Sequence, residues 1–300
     1  MEGDVPSKGA PDFQNRISMY TKINLDDYNQ SGAGSTAITY DSKDGRTLAK
    51  LFTKGLDAET SEHEFHMCQF VYEAGIPTPR PIRLVTDGER YGAEYERIPG
   101  KRSYARIISQ EPDKMVPLTE KFAALARRIH DTPADTTRLP EMKETAKEWI
   151  LRYESLPQTY KDRFVQFLDT VPSPPFCLHG DLHFGNIISD GKKDLWIDVG
   201  DFSYGVPEWD LGLMFFAMNV LTREKADELF HLEPATLQRH WQLFTRAYWN
   251  TDSQGEIDDH VRRVYPFAAA KFTFMCSKLT NGKGPLKEST RQLIDRFLIF

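Results

Sequence analysis

Between residues 17 and 98, apolar and polar positions alternate in short runs broken by turn residues, a pattern that predicts β-strands. The clearest punctuation is Asp-Gly, at Asp44-Gly45 within "AITYDSKDGRTLAKLF" and at Asp87-Gly88 within "IRLVTDGERYGAEYERI". Asp-Gly suits the positive φ angles of tight hairpin turns, so each pair predicts a hairpin. One helix interrupts the strands. Its apolar face runs through Phe65, Cys68, Val71 and Tyr72, and Ser61 with Glu64 fits a capping box. Gly75, Pro77 and Pro79 end it. After "ERIPGK" the period becomes helical, best in "LTEKFAALARRIHD" and "ETAKEWILRYESL", and it is helical again from Glu208 to the amphipathic close "STRQLIDRFLIF". A third hairpin signal, Asp190-Gly191, separates "NIIS" from "DLWIDV". The expected architecture is α+β: a polar, loosely held arm over residues 1–16, a small β-rich lobe over 17–98 with a connector near 97–103, and a larger, mainly helical lobe over 99–300.

Charge and cysteine content narrow the classes. With 38 basic and 44 acidic residues the net charge is −6, which argues against a nucleic-acid partner. Apolar runs such as "LGLMFFAMNV" fall far short of the roughly 20 residues a membrane span needs. No basic-then-apolar leader opens the chain. Cys68, Cys177 and Cys276 are odd in number, far apart and set among apolar neighbours, as expected of reduced thiols in a cytoplasmic protein.

Polar chemistry concentrates in "LHGDLHFGNII" and, shortly after it, "IDVGDFSYG". His179-x-Asp181-Leu182-x-x-x-Asn186 has the spacing of a kinase catalytic loop. One carboxylate accepts or orients the proton of an attacking hydroxyl, a side-chain carbonyl a few residues on reaches a magnesium ion, and a second carboxylate, Asp198 on the next hairpin strand, reaches the same ion. A rival reading takes His179-x-Asp181-x-His183 as the metal-ligand run of a hydrolase. That reading leaves Asn186, Pro207 and Asp210 unexplained and finds no further clustered ligands, the other histidines being scattered apart from the His63/His66 pair.

"HGDLHFGNI" followed by "IDVGDFSYGVPEWDLG" closely resembles the aminoglycoside phosphotransferase/choline kinase-like family, small-molecule kinases with a protein-kinase-like fold. The likeness fades outward over about Tyr28 to Ala217. It implies a Mg2+-dependent transfer of the γ-phosphate of ATP or GTP to a hydroxyl of a small-molecule acceptor. By the same resemblance Asp181 is the base or hydroxyl-orienting residue, Asn186 and Asp198 are metal ligands, and His179 and Asp210 support the catalytic loop. The first lobe is then expected to bind the nucleotide. Gly32, Gly34, Ser35 and Thr36 would cover phosphate, with Ala37 where protein kinases carry a third glycine. Lys50 would bind phosphate and Glu64 would hold it, since Glu64, unlike Glu62, shares the inward face of its helix with Cys68 and Val71. Backbone groups around Glu96 and Ile98 would meet the purine.

Each assignment has a plainer rival. Glu64 also reads as a helix cap, Lys50 as a surface strand lysine, and Gly32 with Gly34 as an ordinary turn. "DSQGEIDD" at 252–259 reads as a solvated loop, or else as the wall of a pocket for a cationic acceptor. His130 reads as a satisfied core histidine. A kinase-shaped binding module without turnover is the competing class, and intact catalytic positions argue against it. The acceptor itself, whether antibiotic, choline-like amine, sugar or amino-acid derivative, is not legible.

Overall fold

The computed structural model describes residues 19–34, 36–53 and 58–299, so the expected arm over 1–16 and Ser35 of the glycine turn lie outside the described residues. The chain separates into two compact units, Met1–Glu73 with Pro79–Pro99, and Ala74–Thr78 with Gly100–Phe300.

The smaller unit is a six-stranded sheet and one helix. The strands are β1 (Thr21–Lys22), β2 (Tyr28–Ala33), β3 (Ala37–Ser42), β4 (Thr47–Phe52), β5 (Pro81–Thr86) and β6 (Tyr91–Glu96), in the order β1-β5-β6-β4-β3-β2. Only the β1–β5 pair is parallel. Helix α1 (Ala58–Glu73) joins β4 to β5. Both Asp-Gly pairs make hairpins, but through four-residue loops rather than two-residue turns. The aspartate sets the loop: Asp44 Oδ1 accepts from the Arg46 amide at 3.0 Å, and Asp87 Oδ1 from the Glu89 and Arg90 amides at 2.9 and 2.7 Å.

Strand alternation gives the sheet two apolar faces. Ile23, Ala49, Leu51 and Val85 pack together on one, and Tyr20, Phe65, Leu84 and Ala93 on the side of α1. Lys50, out of phase with Ala49 and Leu51, therefore lies on the helix side. The expected capping box is not formed. Ser61 sits inside α1, buried, with Oγ 3.3 Å from the Gly92 carbonyl and 3.2 Å from the Tyr20 hydroxyl, so a non-local partner has taken the group read as a cap.

The larger unit is mainly helical: α2 (Tyr104–Gln110), α3 (Met115–His130), α4 (Met142–Arg152), α5 (Gln158–Leu168), α6 (Glu208–Asn219), α7 (Arg223–Phe230), α8 (Pro234–Trp249), α9 (Gln254–Leu279) and α10 (Glu288–Phe297). Short strands β7 (Arg102–Ser103), β8 (Cys177–Leu178), β9 (Ile187–Ser189), β10 (Asp194–Trp196) and β11 (Ser203–Tyr204) form two small sheets, β10-β9-β7 and β11-β8. The hairpin β9–β10 turns at Asp190-Gly191, whose carboxylate accepts from the Lys192 and Lys193 amides, both at 2.8 Å. The stretch expected as a loop at 252–259 is instead mostly helix. Ser253 caps α9, its Oγ accepting from the Glu256 amide at 3.4 Å, and residues from Gln254 onward are the exposed first turns.

Behind the β9–β10 hairpin, Phe122, Phe184 and Phe244 surround a buried histidine, His240. Thr119 gives its hydroxyl proton to the Met115 carbonyl and so accepts from His240 Nδ1 at 2.8 Å, leaving Nε2 as a bare acceptor in an apolar shell. Burial pushes the imidazole down to about 3. The unfolded chain protonates this histidine below about pH 6.5 whereas the native state resists, so its contribution to stability is lost as pH falls from about 6.5 toward 3. Urea unfolding of wild type at pH 7 and pH 5 should show that loss, and His240→Leu should show a smaller difference between the two pH values.

Candidate active site

The chain leaves β8 directly into the polar loop. His179 is fully buried, its ring packed against Trp196 and Phe202 at centroid distances of 4.8 and 5.4 Å. Burial pushes its imidazole down, so it is neutral. Nδ1 accepts from the Asp181 amide at 3.3 Å. This is a shaping role, with the ring kept away from solvent.

The loop is pinned from α6. Asp210, also fully buried, accepts from the His179 amide at 2.7 Å through Oδ2 and from the Gly180 amide at 2.8 Å through Oδ1. His130 Nε2 stands 3.1 Å from Oδ2, and the Tyr248 hydroxyl stands 2.6 Å from His130 Nδ1. Burial alone would raise the Asp210 carboxyl, but the His130 hydrogen bond and charge, with Lys271, hold it below the usual carboxylate range. Gly180 has φ +83°, and a Cβ there would stand 2.1 Å from the Asp201 carbonyl oxygen, so glycine alone permits this close approach.

Asp181 is thereby presented with its side chain 38% exposed. Asn186 Nδ2 donates to Asp181 Oδ2 at 3.0 Å and to its carbonyl at 2.9 Å. His183 Nδ1 accepts from the Gly185 amide at 3.1 Å, which places the proton on Nε2, 3.5 Å from Asp181 Oδ2. Burial works against the charged form of Asp181, yet His183 and the Asn186 hydrogen bond outweigh it and hold the carboxyl below the ordinary range. His183 thus serves the carboxylate rather than a metal. Among the described residues no group of three or more His, Cys, Asp or Glu is placed to hold an ion, so the hydrolase-type cluster does not assemble.

Asn186 and Asp198 are brought together by backbone. The Ile197 amide donates to the Asn186 carbonyl at 2.9 Å, which sets Asp198 beside Asn186 at the base of the β9–β10 hairpin. Asp198 is an exposed residue in the left-handed region, φ 54°. Three residues on, Asp201 Oδ1 accepts from Lys278 of α9 at 2.8 Å.

In the smaller unit, Lys50 Nζ donates to Glu64 Oε1 at 2.8 Å, both side chains being about four-fifths buried at 20% and 18% exposure. Gly32 lies within β2 next to a register shift, and the turn itself is closed by the Gly34 amide on the Ala37 carbonyl at 2.8 Å, leaving Thr36 exposed. At the connector, the backbone groups expected to meet the purine differ in what they bond. The Glu96 amide donates to the Arg80 carbonyl at 2.9 Å, so it is committed inside the sheet; none of the described backbone bonds uses Ile98.

Residues 29–242 match the phosphotransferase enzyme family. The chain belongs to that family. No curated protein matches this phosphotransferase in sequence. Among solved structures, a choline/ethanolamine kinase family protein from Mesorhizobium loti is 14% identical with a TM-score of 0.53, covering 95% of this chain and 91% of its own. A streptomycin–ATP–APH(2")-IIa ternary complex is 15% identical with a TM-score of 0.54, covering 88% and 89%. A thermostable mutant of aminoglycoside phosphotransferase APH(4)-Ia is 13% identical with a TM-score of 0.59, covering 91% and 94%. At these identities the likeness establishes the fold, two-lobed and kinase-like.

Sequence reasoning missed the His130–Asp210 contact, the tautomer-directed His183 and the Asp201–Lys278 pair of this phosphotransferase. "LARRIHD" signalled only a helix, and no local pattern links residues 80 or 77 positions apart.

Proposed function

We propose that this phosphotransferase uses ATP or GTP with Mg2+ and moves the γ-phosphoryl group to a hydroxyl of a small molecule in the cytoplasm. The observation that carries the reading is the Asp181 carboxylate, kept ionised and aimed by Asn186 and His183 on a loop whose two amides end on Asp210. ATP is favoured by the APH(2")-IIa ternary complex that contains it.

Lys50, held by Glu64, would take the α- and β-phosphate oxygens, and the Gly32–Gly34–Thr36 turn would cover the phosphates. The backbone of Ile98, together with the Glu96 carbonyl, would serve the purine. The donor set suits magnesium: with Nδ2 of Asn186 engaged by Asp181, its Oδ1 is left to face an ion beside the exposed Asp198 carboxylate, and two oxygen donors plus phosphate and water are what Mg2+ accepts. The ion would neutralise charge on the phosphates. The acceptor hydroxyl would donate to Asp181, its oxygen forming the new P–O bond while the bridging bond to the γ-phosphorus breaks and leaves its electron pair on the nucleoside diphosphate. A carboxylate held this low is a weak base, so Asp181 orients the hydroxyl first and receives its proton late. The proton then leaves to solvent.

Thermal shift tests the metal set. A ligand at 100 times its Kd adds about 2.7 kcal/mol, a rise of several degrees in Tm for a chain of this size. ATP or GTP with magnesium should raise the Tm of wild type, and Asp198→Asn should lose that rise. An equal rise without magnesium, or in the variant, would remove Asp198 and Asn186 from their assigned roles.

A further inference from the structure

The smaller unit holds a cavity of about 780 Å³, within the range of about 300–1,000 Å³ that small-molecule sites occupy. Its floor is the sheet face opposite Lys50. In the β4–β6 register Glu94 stands across from Ala49 and Glu96 across from Thr47, so these side chains share the face of Ala49 and Leu51, away from α1. Glu94 is buried, at 2% exposure. Its Oε1 accepts from the Tyr28 hydroxyl at 2.8 Å and the Thr47 hydroxyl at 2.6 Å, and its Oε2 from Arg83 Nε at 2.7 Å. Burial works against the ionised form, but these three hydrogen bonds hold the carboxyl below the usual range. With three donors the carboxylate is satisfied, so Glu94 is an anchor. What it anchors is Arg83, whose Nε is engaged while its two terminal amino groups bond to nothing else among the described residues, on a side chain 47% exposed.

A second arginine joins it through an irregularity in the strand. Arg80, just before β5, and Arg83 within it are three positions apart, which regular alternation would put on opposite faces. The β5–β6 register shifts between Pro81 and Arg83, and both side chains line the cavity. Lys22 of the neighbouring β1 lines it too. Neither the Arg80 nor the Lys22 side chain has a hydrogen bond or ion pair among the described residues. The other two cations are engaged: Arg46 pairs with Asp44 at 2.8 Å, and Lys43 donates to the Asp26 carbonyl at 2.6 Å. Two carboxylates line the cavity equally unpartnered, Asp27 and Glu96. Three cationic groups that include an open arginine fork suit the oxygens of a phosphate. Two free carboxylates accept from hydroxyls and repel further negative charge, which disfavours a triphosphate. One phosphate on a hydroxylated carrier answers both sets.

We propose that this face of the sheet is a second binding site, separate from the one proposed for the nucleotide, and that it takes a phosphate monoester of a hydroxylated small molecule. The phosphate lies on Arg80, Arg83 and Lys22, and the hydroxyls donate to Asp27 and Glu96. The site stands whether or not the phosphotransfer reading does. Sugar phosphates and nucleoside monophosphates share this chemistry, and calorimetry tells them apart. Glucose 6-phosphate, AMP, glucose and inorganic phosphate are each titrated into the full chain, in wild type, Arg80→Gln, Arg83→Lys and Lys50→Met. Arg80 is exposed and its side chain unbonded, so Arg80→Gln should melt with wild type. Arg83→Lys keeps a cation against Glu94 while removing the fork. The expected result is that glucose 6-phosphate or AMP binds, glucose does not, and inorganic phosphate binds more weakly than the ester. Each arginine variant should lose about tenfold or more in affinity for the ester, the loss of one charge-assisted hydrogen bond, and Lys50→Met should retain it. The tighter of the two esters names the source as sugar phosphate or nucleotide. The proposal is overturned if neither ester binds, if inorganic phosphate binds as tightly, or if either arginine variant keeps wild-type affinity. It is equally overturned if the tighter ester no longer binds Lys50→Met, which would put that ester on the opposite face of the sheet.

Discussion

An Asp181→Ala variant is expected to lose acceptor-dependent ADP release by about 10³-fold, the middle of the range for removing a positioned proton acceptor. Its thermal shift with MgATP should persist, because Lys50, Glu64 and Asp198 are untouched. The side chain is partly exposed, so little stability goes with it. Steady-state rates and a melting curve on the same preparation give both readouts. A variant that turns over within tenfold of wild type would show that the loop aims some other group at the acceptor. Asp181→Asn sharpens the result, since it keeps the size of the side chain while removing the charge that His183 and Asn186 support.

The second large effect is on folding. Asp210 receives two consecutive backbone amides and a histidine nitrogen, all buried. Asp210→Ala leaves those donors with nothing to bond, and breaking a buried network of this kind costs about 3–5 kcal/mol. For a chain of this length that lowers Tm by about 10 °C. Asn is a poor substitute, because its amide group would face one of the two N–H donors. Equilibrium unfolding in urea measures the loss, and a change under about 1 kcal/mol would mean that water takes over the brace.

The elements and residues that could be read in advance share a local cause. Asp-Gly announced three hairpins because the aspartate bonds amides two or three residues on, within the stretch being read; only the loop length escaped, since it depends on the strands that follow. The His179-to-Asn186 spacing was legible because the Asn186 amide reaches Asp181 inside one short loop. Other features depended on chain far away. Ser61 reads as a cap because nothing nearby reveals that the Gly92 carbonyl lies over it. His130 is the satisfied core histidine it reads as, but nothing near it in sequence names Asp210 and Tyr248 as its partners. The segment at 252–259 is a different kind of miss. Ser253 with an acidic first turn is a helix-start signal, and the density of charge there obscured it.

The Asp210 brace also has a consequence in time. Its bonds join residues 31 positions apart on one side and 80 on the other, and the Tyr248 hydroxyl adds a partner 118 positions from His130. Contacts of such long sequence separation form only after the intervening chain has closed, with its entropy already lost. The larger unit must therefore be nearly assembled before the loop from His179 to Asn186 takes shape. In a refolding experiment, helical signal should recover ahead of enzymatic competence, and competence should arrive together with the last, slowest step.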